Sequence, residues 1–206
     1  ALAAGGSKPA IFDLNMDAAR AAAQETGGIA IECDVADAAS AEAAVAAARK
    51  AHGLAGICIN CAGIGVAHRI VGRDGPLALE QYARVIQNNL VGTFEVMRVA
   101  AAVMMERNPT GPDGERGVIV CTASVAAFDG QVGQTAYAAS KGGIVGMTLP
   151  MARDLSGSGI RVCTIAPGIF KTPMLAGLPE AAQESLGQQV PFPSRLGDPD
   201  EYGALA

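Results

Sequence analysis

An α/β fold, with a parallel sheet held between layers of helices, is what this sequence predicts, and two patterns predict it. Short β-branched runs alternate along the chain with longer Ala-rich amphipathic stretches, the signature of strand-helix-strand units. The strand-like runs are almost continuously apolar, which suits strands covered by helices on both faces; a sheet with one wet face would alternate apolar and polar positions. Composition agrees with this. The 206 residues, half of them apolar and only 4% aromatic, suffice for a core of small aliphatic side chains in a single domain spanning 1–206.

Strands are predicted over 10–14, 29–33, 56–60, 117–122 and 160–166, and helices over 16–26, 37–52, 79–107 with an internal break, and 135–156. Asp37 is placed to cap the second helix, and Gly27 and Gly53 follow the first two where a left-handed residue closes the last turn. Pro150 removes a backbone donor from the fourth helix and crowds the turn before it, so a kink is expected there. The Pro- and Gly-rich stretch 108–115 reads as an exposed loop. The segment 168–199, with several prolines and glycines and a short helix near 180–189, reads as an irregular flap of the kind that covers substrates.

Charge and composition remove several classes of function. Fifteen basic and 20 acidic residues are scattered, and no basic run could follow a phosphate backbone, so nucleic acid is not an expected partner. No apolar stretch reaches about 18 residues without interruption, so no membrane span is expected. The first residues lack the charged, apolar and cleavage regions of a secretory signal, and a cytoplasmic location is the expectation. Five cysteines form an odd set within apolar runs and read as free thiols. Cys58 and Cys61 make a CxxC, but no second pair or nearby histidine completes a ligand set, so no metal is expected; His52 and His68 lack metal-like spacing and receive no role.

The chemistry concentrates on one helix and the strand before it. Tyr137 and Lys141 stand one helical turn apart, so both project from one face and the ammonium reaches the phenol. A free phenol titrates near ~10, so a useful phenolate population at neutral pH needs a shift of several units, each worth about 1.36 kcal/mol. A neighbouring lysine and a bound nicotinamide cation both push that way. Ser124, just past the strand over 117–122, is placed to donate a hydrogen bond to a substrate oxygen while Tyr137 exchanges the proton and a hydride passes to or from a nicotinamide carbon. Gly142, Gly143 and Gly146 inside the same helix each cost on the order of 0.5–1 kcal/mol relative to alanine, which points to something packed very close to it.

Other positions suit the rest of a dinucleotide. Asp13, ending the first strand, can accept hydrogen bonds from both ribose hydroxyls of an adenosine and would repel a 2′-phosphate, which favours NAD over NADP; an ordinary turn or cap is the plainer role. Asp34 and Val35 after the second strand are placed to contact the adenine. Asn60-Cys61-Ala62-Gly63 leaves the third strand with small residues that let backbone approach a flat ligand, or makes an ordinary turn. Asn89, polar in a largely apolar helix, reads as a kink-stabilising or proton-relay residue, with a solvent-facing asparagine as the bland alternative.

Asn60-Cys61-Ala62-Gly63, Asn89, Ser124, Tyr137-x-x-x-Lys141 and Pro167-Gly168, in this order and spacing, resemble the short-chain dehydrogenase/reductase family across nearly the whole chain. That resemblance implies a Rossmann-like, doubly wound parallel sheet in three αβα layers, and Ser124, Tyr137, Lys141 and Asn89 as the catalytic set. The lysine would also bind the nicotinamide ribose, and the asparagine would reach it through water. Asp13, Asp34, Val35 and Cys61 would line the adenosine side, with Asn60, Ala62 and Gly63 beside them, and Pro167, Gly168, Phe170 and Thr172 the nicotinamide side. From Gly117 to Gly197, notably Thr122-Ala123-Ser124-Val125-Ala126-Ala127-Phe128 and Pro191-Phe192-Pro193-Ser194-Arg195-Leu196-Gly197, the sequence is similar to the type 2 3-hydroxyacyl-CoA dehydrogenase branch, which implies an acyl-CoA substrate and a homotetramer. The family's first strand, its glycine-rich pyrophosphate turn and its last strand have no counterpart here. The expectation is a piece of a longer polypeptide that starts inside the family's first helix and otherwise leaves sheet edges unpaired. The rival function is a nucleotide-sensing or scaffold protein that keeps the fold without turnover.

Overall fold

The computed structural model describes residues 1–172, 175 and 179–206. In chain order the elements are β1 (Ala10–Asp13), α1 (Met16–Thr26), β2 (Ile29–Glu32), α2 (Ala38–His52), β3 (Ile57–Asn60), the short hairpin β4 (Val71–Gly72) and β5 (Gly75–Pro76), α3 (Leu79–Ile86), a π-helical turn (Gln87–Val91), α4 (Gly92–Met105), β6 (Gly117–Thr122), a 3-10 turn (Val125–Ala127), α5 (Thr135–Ser156), β7 (Ile160–Ile165), α6 (Glu180–Gln188) and α7 (Pro199–Leu205). The caps expected at Asp37 and Gly27 are in place, whereas Gly53 after α2 has φ 85° and ψ −157°, outside the left-handed helical region. Asp37 accepts from the Ala39 N–H, and Gly27 closes α1 in the left-handed region with φ 68°.

β6 is the centre of the larger sheet, paired in parallel with β3 on one side and β7 on the other. Ile119 and Cys121 point from it to one face, where they are fully buried with Met97 and Met104 of α4, Ile144 of α5 and Ile160 and Val162 of β7. Side chains alternate along a strand, so Thr122 faces the other way, and there it meets Tyr202 of α7. Cover on that second face is incomplete: Arg161 and Cys163 of β7, the partners of Val118 and Val120, are exposed, so the expectation of strands covered on both faces does not hold for β7.

β1 and β2 pair in parallel as a separate sheet, and among the described residues no pairing joins β1 to β3. The parallel strands thus lie in two sheets with open edges, the unpaired arrangement expected where the family's first strand has no counterpart, and Ile57 at the start of β3 is 43% exposed. Helix packing holds the pieces together. α2 lies against both β2 and α4, and Cys33, Ala41, Ala44 and Val96 form a second apolar cluster onto which Phe12 of β1 and Cys58 of β3 pack.

The break expected in the long helix is the π-helical turn around Asn89. α5 runs through Pro150 without ending; Pro150 and Gly146, one turn earlier, are both exposed, so the carbonyl that loses its donor faces solvent. The close approach expected at the α5 glycines occurs at Gly143, where a Cβ would come within 2.7 Å of the Leu90 side chain; at Gly146 nothing lies within 4 Å. α6 falls where the short flap helix was expected. Positions 173, 174 and 176–178 of the 168–199 flap lie outside the described residues. No helix among the described residues is long and apolar enough to cross a membrane.

Candidate active site

The strands deliver the candidate residues to one end of the fold. Asp13 ends β1, Asp34 and Val35 follow β2, Asn60 ends β3 and leads into Cys61, Ala62 and Gly63, Ser124 lies two residues past β6, and Pro167 and Gly168 follow β7. These are the carboxyl ends of parallel strands, outside which open α/β sheets bind ligands. Ser124 is held there by its neighbours: the Ala123 N–H donates to the Ile165 carbonyl at 2.8 Å and the Val125 N–H to the Pro167 carbonyl at 3.0 Å. Its backbone is extended, and its hydroxyl accepts from the Ala126 N–H at 3.2 Å, opening the 3-10 turn that packs against α5.

On α5, Lys141 is only 4% exposed. Its ammonium donates to the Thr122 carbonyl at 2.7 Å and stands 5.7 Å from the centre of the Tyr137 ring. Both distances put the cation between the end of β6 and the phenol, within cation–π range. Burial pulls the Lys141 ammonium down to about 8, a shift that the sulfurs of Cys61 and Cys121 oppose. Tyr137 is half-buried, and its hydroxyl has no hydrogen-bond partner among the described residues. A phenol placed so is free to bond a ligand.

Asn89 is completely buried, which decides against the solvent-facing alternative. Its amide clamps the chain past Gly63 from both sides: Oδ1 accepts from the Ile64 N–H at 2.8 Å and Nδ2 donates to the Ile64 carbonyl at 3.0 Å. Nδ2 also donates to Ser140 Oγ at 3.1 Å, and Ser140 in turn donates to the Tyr137 carbonyl at 2.7 Å. The asparagine therefore ties the Asn60–Gly63 turn to the helix that carries Tyr137 and Lys141. Gly63 is drawn so close that a Cβ on it would lie 3.3 Å from Asn89 Oδ1 and 3.7 Å from Lys141 Nζ. Asn89→Ala leaves the Ile64 N–H and carbonyl without partners in the interior, and we expect it to destabilise the fold by about 2–3 kcal/mol in urea unfolding. A loss below about 0.5 kcal/mol, the range of an indifferent surface change, would contradict the clamp.

The other candidates fall into two groups. Cys61, exposed, accepts from the Thr122 hydroxyl at 3.6 Å and so borders the Lys141 cluster, while Asn60 is buried with its amide against the sulfurs of Cys58 and Cys121 at 3.7 and 3.8 Å. Burial pushes the Cys58 thiol up to about 12 and the Cys121 thiol to about 11, which suits small apolar packing groups. Phe170 joins the same cluster indirectly, edge to face with Tyr202, whose hydroxyl meets Thr122 Oγ1 at 2.6 Å. Asp13, Asp34 and Val35 belong to the other sheet. Asp13 accepts from the Asn15 N–H at 2.8 Å, so it does serve the turn into α1, and Asp34 accepts from the Ala36 N–H at 2.9 Å. Val35 packs hard against the start of α4, where a Cβ on Gly92 would come within 2.8 Å of it. Thr172 bonds through its backbone to Phe170 and to Leu175.

Sequence reasoning missed Thr122, Ser140 and Tyr202. The signal for Tyr202 was available, since Asp198-Pro199-Asp200-Glu201 is a capping box with proline at the first helical position and announces α7. Thr122 and Ser140 act through contacts between elements distant in sequence, which no local pattern announces.

A buried lysine one turn from a phenol, with a serine hydroxyl at the adjoining strand end, defines the class: a nucleotide-dependent oxidoreductase on a doubly wound α/β fold. The chain belongs to the short-chain dehydrogenase/reductase family, whose description, short chain dehydrogenase, matches residues 1–183. Members of this family generally work with a nicotinamide dinucleotide, NAD or NADP. Within it the chain falls in the type 2 3-hydroxyacyl-CoA dehydrogenase branch. It is 48% identical to the 3-hydroxyacyl-CoA dehydrogenase type-2 of Drosophila melanogaster over 99% of this chain and 81% of that protein, and 55% identical to that of Bos taurus over 84% of this chain and 66% of that protein. The crystal structure of 3-hydroxyacyl-CoA dehydrogenase type-2 from Mycobacterium avium superposes with a TM-score of 0.92 at 42% identity, covering 99% of this chain and 80% of that one.

Proposed function

We propose that the chain interconverts a 3-hydroxyacyl-CoA and the matching 3-ketoacyl-CoA with NAD, using Ser124, Tyr137 and Lys141. The observation that carries this reading is the Lys141 ammonium, buried, fixed on the Thr122 carbonyl and poised over the Tyr137 ring. The residues suit a dinucleotide: carboxylates of Asp13 and Asp34 at the ends of one sheet match a ribose diol, while the ammonium, phenol and serine at the ends of the other match the hydride-carrying end. When bound, the nicotinamide supplies or takes up the hydride. Ser124 holds the substrate oxygen by a hydrogen bond. Tyr137 gives that oxygen a proton as a ketone is reduced and removes it as an alcohol is oxidised. Lys141 places a positive charge beside the phenol, and Asn89 holds Lys141's helix against the Gly63 turn.

The acyl-CoA substrate is supported by the names of the relatives, and a homotetrameric assembly goes with it; Phe94 and Met105 of α4 and Leu149 of α5 are large apolar side chains left exposed for such contacts. The test is acetoacetyl-CoA with NADH, following NADH absorbance. Oxidation is expected, with kcat/KM for NADH at least about tenfold above that for NADPH, because a carboxylate at Asp13 repels a 2′-phosphate. Silence with every short and medium 3-ketoacyl-CoA would remove the substrate assignment, and silence with simple ketones and secondary alcohols as well would leave a non-catalytic nucleotide-binding scaffold.

A further inference from the structure

The two ends of the 168–199 segment meet in a short parallel bridge between Phe170 and Gly197. The Gly197 N–H donates to the Ile169 carbonyl and the Lys171 N–H to the Gly197 carbonyl, both at 2.9 Å. The Phe170 ring lies so close that a Cβ on Gly197 would come within 2.7 Å of it, so this crossing requires glycine. Beyond the bridge, the start of α7 is locked three ways. Asp198 accepts from the Asp200 N–H at 2.9 Å, Glu201 accepts from the Asp198 N–H at 2.7 Å, and Arg195 grips the Glu201 carboxylate with both terminal nitrogens at 3.0 and 2.8 Å.

Tyr202 is the next residue, so its direction is set in advance. Its ring packs edge to face with Phe170, centroids 6.4 Å apart at 88°, and its hydroxyl meets Thr122 Oγ1 at 2.6 Å. Thr122 is the last residue of β6, fixed by pairing with Ile165, and its carbonyl is the one that receives Lys141. A single tyrosine thus touches the base of the flap with its ring and the rigid end of the central strand with its hydroxyl. Burial pushes the Tyr202 phenol up to about 12, so it stays a neutral hydroxyl through the working pH range.

We infer that Tyr202 is a positioning residue: it pins the base of the 168–199 segment, and Phe170 with it, to the strand end that anchors Lys141. Its kinetic consequence rests on the dehydrogenase reading above; its structural consequence does not. Tyr202→Phe keeps the ring and removes only the hydroxyl. With the full chain, limited trypsin digestion reports the segment directly, since Lys171 and Arg195 flank the bridge while Arg20 and Lys50 lie far from it. Cleavage after Lys171 and Arg195 is expected to rise about fivefold, the worth of one neutral hydrogen bond, with cleavage after Arg20 and Lys50 unchanged. KM for NADH should rise by a similar factor, more than kcat falls. Unchanged cleavage at the bridge, or an increase shared equally by Arg20 and Lys50, would overturn the inference. Should the wild-type chain turn over no ketone at all, the dehydrogenase reading fails by itself and the digestion pattern still decides whether Tyr202 is the pin.

Discussion

Tyr137→Phe is expected to lower the rate of NADH-dependent ketone reduction by roughly 10²- to 10⁴-fold, the range that a positioned acid–base group contributes. The change removes one oxygen from a half-buried side chain whose hydroxyl bonds nothing else among the described residues, so no structural partner is orphaned by the loss. The melting temperature and the affinity for NADH, read by its fluorescence, should therefore stay close to the parent's while turnover collapses. A variant retaining more than about a tenth of parental turnover would assign the proton to another group, since even the weakest acid–base contribution exceeds that.

Lys141→Met carries the second large effect. It keeps an unbranched apolar stem in a buried slot and removes the charge near Tyr137, and a loss on the order of 10²-fold in kcat/KM is expected, comparable to removing one preorganised electrostatic contact. The pH profile sharpens the expectation. kcat/KM reports groups of the free enzyme, and burial sets the Lys141 ammonium at about 8, so the parent should lose efficiency in ketone reduction as pH rises through 8, and the variant should lack that step. Stability carries the same signature with a definite sign. The folded value lies below the ordinary 10.5, so between pH 8 and 10.5 the unfolded chain binds more protons than the folded one, and this residue's contribution to stability rises with pH across that window. The methionine variant should lack the rise.

The legible part of this fold was the part written in local pattern. Short apolar runs announced β6 and β7, although β7 leaves Arg161 and Cys163 exposed on one face; the Tyr137 and Lys141 spacing announced a shared helix face, and the polar Asn89 lies in the π-helical turn that breaks the long helix. What stayed hidden was long-range. That Asn89 clamps Ile64, that Ser140 relays the clamp to Tyr137, and that Lys141 rests on a backbone carbonyl of β6 depend on elements brought together only by the tertiary fold. The division of the strands into two sheets, by contrast, agrees with the unpaired edges expected from the sequence. Each strand forms from its own sequence, whereas its partner must be supplied by another segment, and nothing in the described residues pairs β1 with β3. The hairpin Val71–Gly72 with Gly75–Pro76 is too short to leave an alternating pattern.

The claim on which the mechanism stands is a lysine ammonium buried beside the Tyr137 ring. Titrating the Lys141 side chain by isotope-edited NMR in the chain without nucleotide, with the resonance assigned through Lys141→Met, tests it without relying on turnover. A midpoint near 8 is the expected result. A midpoint at the ordinary lysine value of 10.5 would put that ammonium in water, away from the phenol, and contradict the site.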